Sequence, residues 1–263
     1  MDEDELSRVR LKADRTHAYG AHEDQVVDFL LPSGEGAGSG GRTMVVLLHG
    51  GYWRPRWDRH HTAPLARALA DEGYLVAVPE YRRAKGWPEI FDDVAVCVEA
   101  LSMMAAAEGL RPRRTVLMGH SAGGHLALWA AARHRLPAGS PWRSDTRPDA
   151  VVSLAGCASL RLTDEWQLGD GAARAMMGGS VDTLRDRYAD CDPAALLPLG
   201  VPVTLIHGRD DDTVPPSMSR EYARMARDKG DAVTMVDLPD MEHYGLIDPT
   251  SPAWPHLRSA LES

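Results

Sequence analysis

Short runs of apolar residues recur along the chain and alternate with segments of helical character. The apolar runs are Met44–Leu48, Leu75–Pro79, Thr115–Met118, Ala150–Leu154, Val203–Ile206 and Ala232–Leu238. The helical segments between them are Thr62–Asp71, Pro88–Ala107, Ala122–Arg133 and Pro216–Lys229. Strands that are apolar at nearly every position and alternate with helices are typical of a parallel sheet that is covered on both faces. The pattern therefore predicts an α/β protein with a mostly parallel central sheet and helices on both of its faces.

The chain before the first of these runs has a different pattern. Apolar and polar residues alternate over Gln25–Leu31, which predicts an antiparallel strand at the edge of the sheet. The glycine-rich stretch Pro32–Gly41 follows and predicts a flexible hairpin connection, because too little chain precedes it to fold alone. We therefore expect a single domain over residues 1–263.

One long segment interrupts the alternation. Between the strand that ends near Ala155 and the strand that begins at Val203, about 45 residues contain no clear strand, and insertions of this length usually form a lid or a binding element. We expect a lid over about residues 158–200, and a plain surface excursion is the alternative.

Composition and charge narrow the class of protein. The formal net charge is −9, which argues against nucleic-acid or anionic-membrane binding. The cysteines Cys97, Cys157 and Cys191 are too few and too scattered for a disulfide framework or a zinc cluster, which fits a reducing compartment. No apolar stretch approaches the ~20 residues that a bilayer span requires. These features predict a soluble, cytoplasmic protein with neither a nucleic-acid nor a membrane partner.

A serine lies on a tight corner between a predicted strand and a predicted helix. The residues Gly119-His120-Ser121-Ala122-Gly123 match the motif G-x-S-x-G, which places a serine hydroxyl above the edge of a sheet. A serine hydroxyl is a poor nucleophile unless a base removes its proton. On folds that use this motif, an acid and then a histidine follow, each after a later strand.

Candidates for both partners occur in that order. Three consecutive aspartates follow the fifth apolar run, at the end of a strand where functional groups collect in such sheets. Asp211 is favoured because it lies midway between Gly208 and Val214, and Asp212 is the alternative. His243 is the only histidine between the last strand and the C-terminal helix, and it completes the predicted triad.

The stretch "HGGYW" follows the first apolar run of the main pattern. Attack on a carbonyl creates an oxyanion that needs preorganised donors, and glycines let backbone N–H groups approach it closely. We expect Gly51 and Tyr52 to supply such donors together with Ala122, the residue after the nucleophile.

Aromatic and histidine residues near these motifs have two interpretations. Four aromatic residues flank the predicted site and are expected to form a wall that binds a flat substrate, namely Trp53, Trp57, Trp166 and Tyr244. Ordinary core or rim positions are the alternative for each of them. His60 and His61 would point about 100° apart on a helix and lack further ligands at metal spacing. We expect a solvated or capping role for both and predict no metal site.

The same motifs resemble those of a known superfamily. "HGGYW", "GHSAGGHLA", "HGRDDDTVP" and an ending with His243, Asp248, Pro249 and Trp254 are similar to the α/β-hydrolases. More narrowly, they resemble the arylformamidase (kynurenine formamidase)-like and hormone-sensitive-lipase-like esterase groups, from roughly Tyr19 to the C-terminus. The resemblance implies an α/β-hydrolase fold of about eight strands, with its triad at the serine, aspartate and histidine named above. Tyr-Trp in place of the third glycine of HGGG esterases favours the formamidase group.

These features together predict a serine hydrolase that needs no cofactor. The first expectation is cleavage of a formyl amide of an aromatic amine, such as N-formylkynurenine, through an acyl-enzyme. The alternative is a carboxylesterase for small acyl or aryl esters, and a non-catalytic alternative is a small-molecule binding protein on a hydrolase scaffold. The expected partner is a small-molecule ester or amide. The sequence indicates no oligomeric state, and a homodimer is compatible with it.

Overall fold

Eight strands form one sheet in the computed structural model, which describes residues 3–33 and 43–262. In chain order the strands are β1 (Arg15–Ala18), β2 (Val26–Leu30), β3 (Thr43–Leu48), β4 (Leu75–Pro79), β5 (Arg114–His120), β6 (Ala150–Leu154), β7 (Val203–Gly208) and β8 (Val233–Leu238). Their order across the sheet is β1-β2-β4-β3-β5-β6-β7-β8. β2 pairs antiparallel with β1 and β4, and all other pairs are parallel. The predicted mostly parallel sheet of about eight strands is confirmed.

Helices connect most of the parallel strands. They are α1 (Glu3–Arg8), α2 (Ala63–Asp71), α3 (Glu89–Ala107), α4 (Ala122–Ala132), α5 (Leu160–Glu165), α6 (Leu168–Met177), α7 (Arg185–Cys191), α8 (Ser217–Asp228) and α9 (Trp254–Glu262). Short 3₁₀ turns occupy Arg59–Thr62, Arg133–Arg135 and Tyr244–Ile247. The four helices predicted between strands are α2, α3, α4 and α8, and each end lies within one residue of its predicted position. Across the described ranges, no helix combines the length and the apolar character that crossing a bilayer demands.

The apolar strands serve two cores at once. Successive side chains of a strand point to opposite faces of the sheet. In β3, Val46 and Leu48 pack into the core on one face, while Val45 and Leu47 pack into the core on the other. A strand that is buried on both faces must be apolar at every position, which explains why its sequence shows a continuous run instead of an alternation.

The N-terminal region differs from its prediction. The strand predicted at the edge, β2, is an inner strand, and the edge position belongs to β1. Most residues of β1 are exposed, so no apolar pattern marked it in the sequence. The predicted flexible connection Pro32–Gly41 lies largely outside the described residues. The segment 158–200 contains α5, α6 and α7, and its role as a lid stays a prediction.

Candidate active site

The turn between β5 and α4 holds Ser121 in an unusual backbone conformation. Its φ and ψ are 56° and −121°, a sparsely populated region for a residue with a side chain. A Cβ atom on Gly119 would lie 2.0 Å from the carbonyl oxygen of Gly123, and one on Gly123 would lie 2.0 Å from that of Leu48. Only glycine fits at either position, because the strand and the helix approach so closely. The G-x-S-x-G spacing is therefore a packing requirement of this corner.

Asp211 and His243 meet at the same edge of the sheet. Asp211 follows β7 and His243 follows β8, and these parallel strands end side by side. His243 Nδ1 lies 2.7 Å from Asp211 Oδ2. Ser121 and His243 line one cavity, so the structure brings the three predicted triad residues together. The alternative acid, Asp212, is exposed and accepts a hydrogen bond from Thr213 Oγ1 at 3.3 Å.

The carboxylate of Asp211 is buried and fully hydrogen-bonded. Its Oδ1 accepts from the backbone N–H groups of Thr213 and Val214, at 3.0 and 2.8 Å. Its Oδ2 accepts from His243 and lies 3.3 Å from His207 Nε2. Burial alone would raise the pKa of Asp211, but the hydrogen bonds from His207 and His243 outweigh it and hold that pKa well below its usual value. An ionised Asp211 keeps the Nδ1 proton on His243 and leaves Nε2 with a lone pair for the serine proton.

His120 supports the backbone of His243. The ring centroids of the two histidines are 4.5 Å apart, and His120 Nε2 donates to the carbonyl oxygen of His243 at 3.0 Å. Burial, reinforced by the neighbouring His243, lowers the pKa of His120 well below its ordinary value. His120 is therefore neutral, and it holds the predicted catalytic histidine in place without adding a charge beside it.

The loop after β3 presents backbone donors to the cavity. Gly51, Tyr52 and Trp53 have φ values of 108°, 49° and 57°, so three consecutive residues occupy the left-handed region. Only glycine adopts this region without cost. Within residues 3–33 and 43–262, no protein acceptor receives a hydrogen bond from the backbone N–H of Gly51, Tyr52 or Ala122. These amides are the three that the sequence predicts as oxyanion donors.

A buried charged network holds the start of that loop. His49 Nε2 lies 2.9 Å from Glu80 Oε1, and the Tyr81 hydroxyl donates to the carbonyl oxygen of His49 at 2.8 Å. The Tyr81 ring also stacks on the His49 ring, with 4.2 Å between centroids. The guanidinium of Arg83 pairs with Glu80. Burial would raise the pKa of Glu80, but His49 and Arg83 hold it far below its usual range, so the carboxylate stays charged.

The cavity above Ser121 is small, about 230 Å³. The residues that line it are Gly51, Tyr52, Arg54, Arg56, Trp57, His61, His120, Ser121, Thr213, His243 and Tyr244. Arg54, Arg56 and Thr213 are not among the residues that the sequence motifs predict as part of a site. The only available signal was their position, since Arg54 and Arg56 follow the predicted oxyanion donors and Thr213 follows the predicted acid.

Of the four aromatic residues predicted to form a wall for the substrate, Trp57 and Tyr244 line the cavity. Trp53 is buried in the core, where its Nε1 donates to His125 Nδ1 at 3.2 Å. Trp166 is 38% exposed, follows the end of α5 and is not among the residues that line the cavity. The backbone of the loop turns Trp53 inward, which its sequence position could not indicate. We retain Trp57 and Tyr244 as proposed substrate contacts.

His61 also differs from its prediction. It is buried instead of solvated, it lines the cavity, and its Nδ1 lies 2.6 Å from the carbonyl oxygen of Asp58. Burial, together with the nearby His49, lowers the pKa of His61 to about 3, so the ring is neutral. Among the residues with a described position, no three His, Cys, Asp or Glu side chains form a group suited to a metal ion.

The chain matches a family model and several curated proteins. The family model described as BD-FAE matches residues 27–225. Esterase LipQ of Mycobacterium tuberculosis is 28% identical in an alignment of 221 residues that covers 77% of this chain and 51% of LipQ. Kynurenine formamidase of Danio rerio is 24% identical in an alignment of 251 residues that covers 88% of this chain and 74% of that protein. The chain spans about half the length of the first curated relatives it matches.

Solved structures extend the similarity to the whole fold. A truncated carbohydrate esterase from gut microbiota superposes with a TM-score of 0.76 at 18% identity, covering 95% of this chain and 96% of its own. At that identity the likeness supports the fold alone, and the expected α/β-hydrolase fold is confirmed. Since the family model covers more than half of the residues, the chain belongs to the BD-FAE family, within the esterase and arylformamidase-like group of α/β-hydrolases.

Proposed function

We propose that this protein is a serine hydrolase that cleaves esters or amides with a small acyl group. The observation that carries the proposal is the convergence on one cavity of Ser121, the His243–Asp211 pair and the unbonded amides of the oxyanion loop. A nucleophile, a base with its orienting acid and a set of oxyanion donors are the parts that acyl transfer requires.

The reaction follows from this arrangement. His243 takes the proton from Ser121 as the Oγ attacks the acyl carbonyl, and Asp211 stabilises the imidazolium that forms. The backbone N–H groups of Gly51, Tyr52 and Ala122 donate to the oxyanion. His243 then protonates the departing alcohol or amine, and an acyl-enzyme remains. Water, activated by the same histidine, attacks the acyl group and releases the acid with the serine restored.

The small cavity favours a small acyl group. Its volume of about 230 Å³ lies below the ~300–1,000 Å³ typical of sites that enclose a drug-sized ligand. The names of LipQ and of LipM, a probable carboxylic ester hydrolase of Mycobacterium tuberculosis, support an ester as the substrate. The similarity to a kynurenine formamidase supports the second candidate, a formyl amide of an aromatic amine. For that leaving group, Trp57 and Tyr244 supply aromatic surfaces in the cavity wall.

One set of assays tests the proposal and ranks the two substrates. We expect a fluorophosphonate to label Ser121 in the folded protein, and Ser121→Ala to lower kcat by about 10⁴- to 10⁶-fold without unfolding the chain. A kcat/KM for N-formylkynurenine well above that for p-nitrophenyl acetate would favour the formamide, and the opposite ratio the ester. Folded protein that neither reacts with the label nor cleaves either substrate would contradict the proposal and favour a binding protein on a hydrolase scaffold.

A further inference from the structure

The wall of the cavity is cationic. Arg54 and Arg56 both line it, and the described part of the chain contributes no Asp or Glu side chain to that lining. The two buried histidines in the wall beside the catalytic one, His61 and His120, are held neutral by the lowered pKa values described above. The lining of the cavity therefore supplies no carboxylate to the Arg54 guanidinium.

This sign is opposite to that of the whole molecule, whose net charge is −9. In contrast to Arg54, several other arginines are paired with carboxylates. Arg82 lies 2.6 Å from Asp93, and Arg59 lies 2.6 Å from Asp28. An acidic protein repels anions at long range, so an arginine kept at the mouth of a reactive cavity implies a specific local use.

A neutral backbone carbonyl group holds the Arg54 side chain in place, and this contact does not neutralise its positive charge. One of its terminal nitrogens donates to the backbone carbonyl oxygen of Gly169, and no carboxylate of residues 5–33 or 43–262 pairs with it. A guanidinium has five N–H donors in a planar fork, so this contact fixes its direction and leaves further donors for a ligand. Such a fork matches the two oxygens of a carboxylate.

The two arginines lie at the mouth of the cavity and the nucleophile at its base. Arg54 and Arg56 are exposed, whereas Ser121 and His243 are buried. Arg56 also lies over the Trp57 ring, 5.6 Å from its centroid, which joins an aromatic surface to a cation at the same side of the mouth. With a small acyl group at the serine, the part of a substrate that reaches this mouth is the leaving group.

We propose that the leaving group of the substrate carries a carboxylate, and that Arg54 and Arg56 bind it at the mouth of the cavity. The inference rests on the proposed hydrolase activity and adds the chemical class of the leaving group. A carboxylate on a flat leaving group would accept from the Arg54 fork while its ring packs near Trp57.

A matched pair of esters tests this assignment. 4-Acetoxybenzoate and its methyl ester share the acetyl group and differ in one negative charge on the leaving group. We expect kcat/KM to favour the anionic ester in the wild type, and Arg54→Gln combined with Arg56→Gln to lower the anionic-to-neutral ratio by about 10- to 100-fold. Sodium chloride should lower the ratio in the wild type, because exposed charges are screened by salt.

The control is Arg111→Gln combined with Arg113→Gln, which removes the same two charges from exposed positions just before β5, at the end of that strand opposite Ser121. It should keep the wild-type ratio. Both esters are measured on the same sample, so a loss of folded enzyme cancels in the ratio. Arg54→Lys, which keeps the charge but not the fork, should retain part of the preference.

The outcomes separate the inference from the proposed function. A wild type that cleaves both esters equally, or a double variant with the wild-type ratio, would overturn the carboxylate assignment and leave the hydrolase activity standing. A wild type that cleaves neither ester and does not react with a fluorophosphonate at Ser121 would overturn the proposed function itself.

Discussion

The triad and the segment 158–200 contribute to the same side of the molecule but are held in different ways. Each triad residue follows directly on one of the parallel strands β5, β7 and β8, and the spacing of the sheet brings these ends together. The segment 158–200 contains short helices, and the beginning of α6 is not helical. Gln167, Gly169, Asp170 and Gly171 all have positive φ values there.

The segment 158–200 packs on the core and also contacts the loop after β3. Its apolar residues Leu160 and Met177 belong to the same core as Trp129 of α4. Gly169 packs so closely on Tyr52 that a Cβ atom there would lie 2.9 Å from the ring. His125 in α4 forms a second link: it accepts from Trp53 through Nδ1 and donates through Nε2 to the carbonyl oxygen of Cys191, at 2.9 Å. The sheet therefore positions the proposed triad, while the segment 158–200 packs against the core and contacts the loop beside that triad.

The largest expected effect on activity concerns the proposed triad, whose residues follow strands of the sheet. Asp211→Asn should lower kcat by about 10⁴-fold, because an amide in place of the carboxylate no longer holds the Nδ1 proton or stabilises the imidazolium. Asp212→Asn is the matched control, since among the described residues its exposed side chain bonds only Thr213, and it should keep nearly full activity. Steady-state kinetics with p-nitrophenyl acetate measure both. A greater loss of kcat in Asp212→Asn than in Asp211→Asn would identify Asp212 as the acid and contradict the proposed triad.

The ends of β5, β7 and β8, which carry the proposed triad, are also the part of the site that the sequence predicts well. Ser121 was recognisable because a tight turn between a strand and a helix needs its glycines, and those are visible in the sequence. Asp211 and His243 followed because chain order and strand ends restrict where partners can lie. The choice of Asp211 over Asp212 needed the hydrogen bonds of the folded chain, which spacing alone does not contain.

The loop after β3 and the segment 158–200 were less predictable, because the sequence does not indicate their backbone conformation. Gln167 and Asp170 adopt left-handed conformations that their residue types disfavour, so only tertiary packing holds them there. Trp53 and Trp166 looked equivalent in the sequence, yet one is in the core and the other is exposed. Whether Arg54 reaches the cavity depends on the direction of its loop. Outside helices and strands, no periodic pattern in the sequence indicates where a side chain points. This limits any prediction of substrate contacts.

The next expected effect is a dependence of the free energy of unfolding on pH, which arises from His125. Burial lowers the pKa of His125 to about 4, while the unfolded chain titrates near its ordinary value of 6.5. As the pH falls below 6.5, the unfolded state takes up this proton first, so the free energy of unfolding decreases until the pH reaches about 4. Over that window the contribution of His125 should fall by about 3 kcal/mol.

Urea unfolding at pH 7.5, 6, 5 and 4 checks this in the wild type and in His125→Gln. The variant should lose less stability than the wild type across the window, because it has no proton to take up at that site. His256→Gln removes an exposed histidine and should reproduce the wild-type slope. Equal slopes for the wild type and His125→Gln would mean that the link to Cys191 does not depend on a neutral ring.

The smallest expected effect isolates the contact of the segment 158–200 with the oxyanion loop. Gly169 and Gly171 have φ values of +56° and +72°, so alanine at either position should cost about 1 kcal/mol in backbone strain. A Cβ atom at Gly171 meets nothing within 4 Å, whereas one at Gly169 meets the Tyr52 ring. Gly169→Ala should therefore displace Tyr52, whose amide is a proposed oxyanion donor, and lower kcat/KM several-fold, while Gly171→Ala should keep it. Equal kcat/KM values in the two variants, measured at matched folded fractions, would show that the segment does not support the loop and that the two regions are independent.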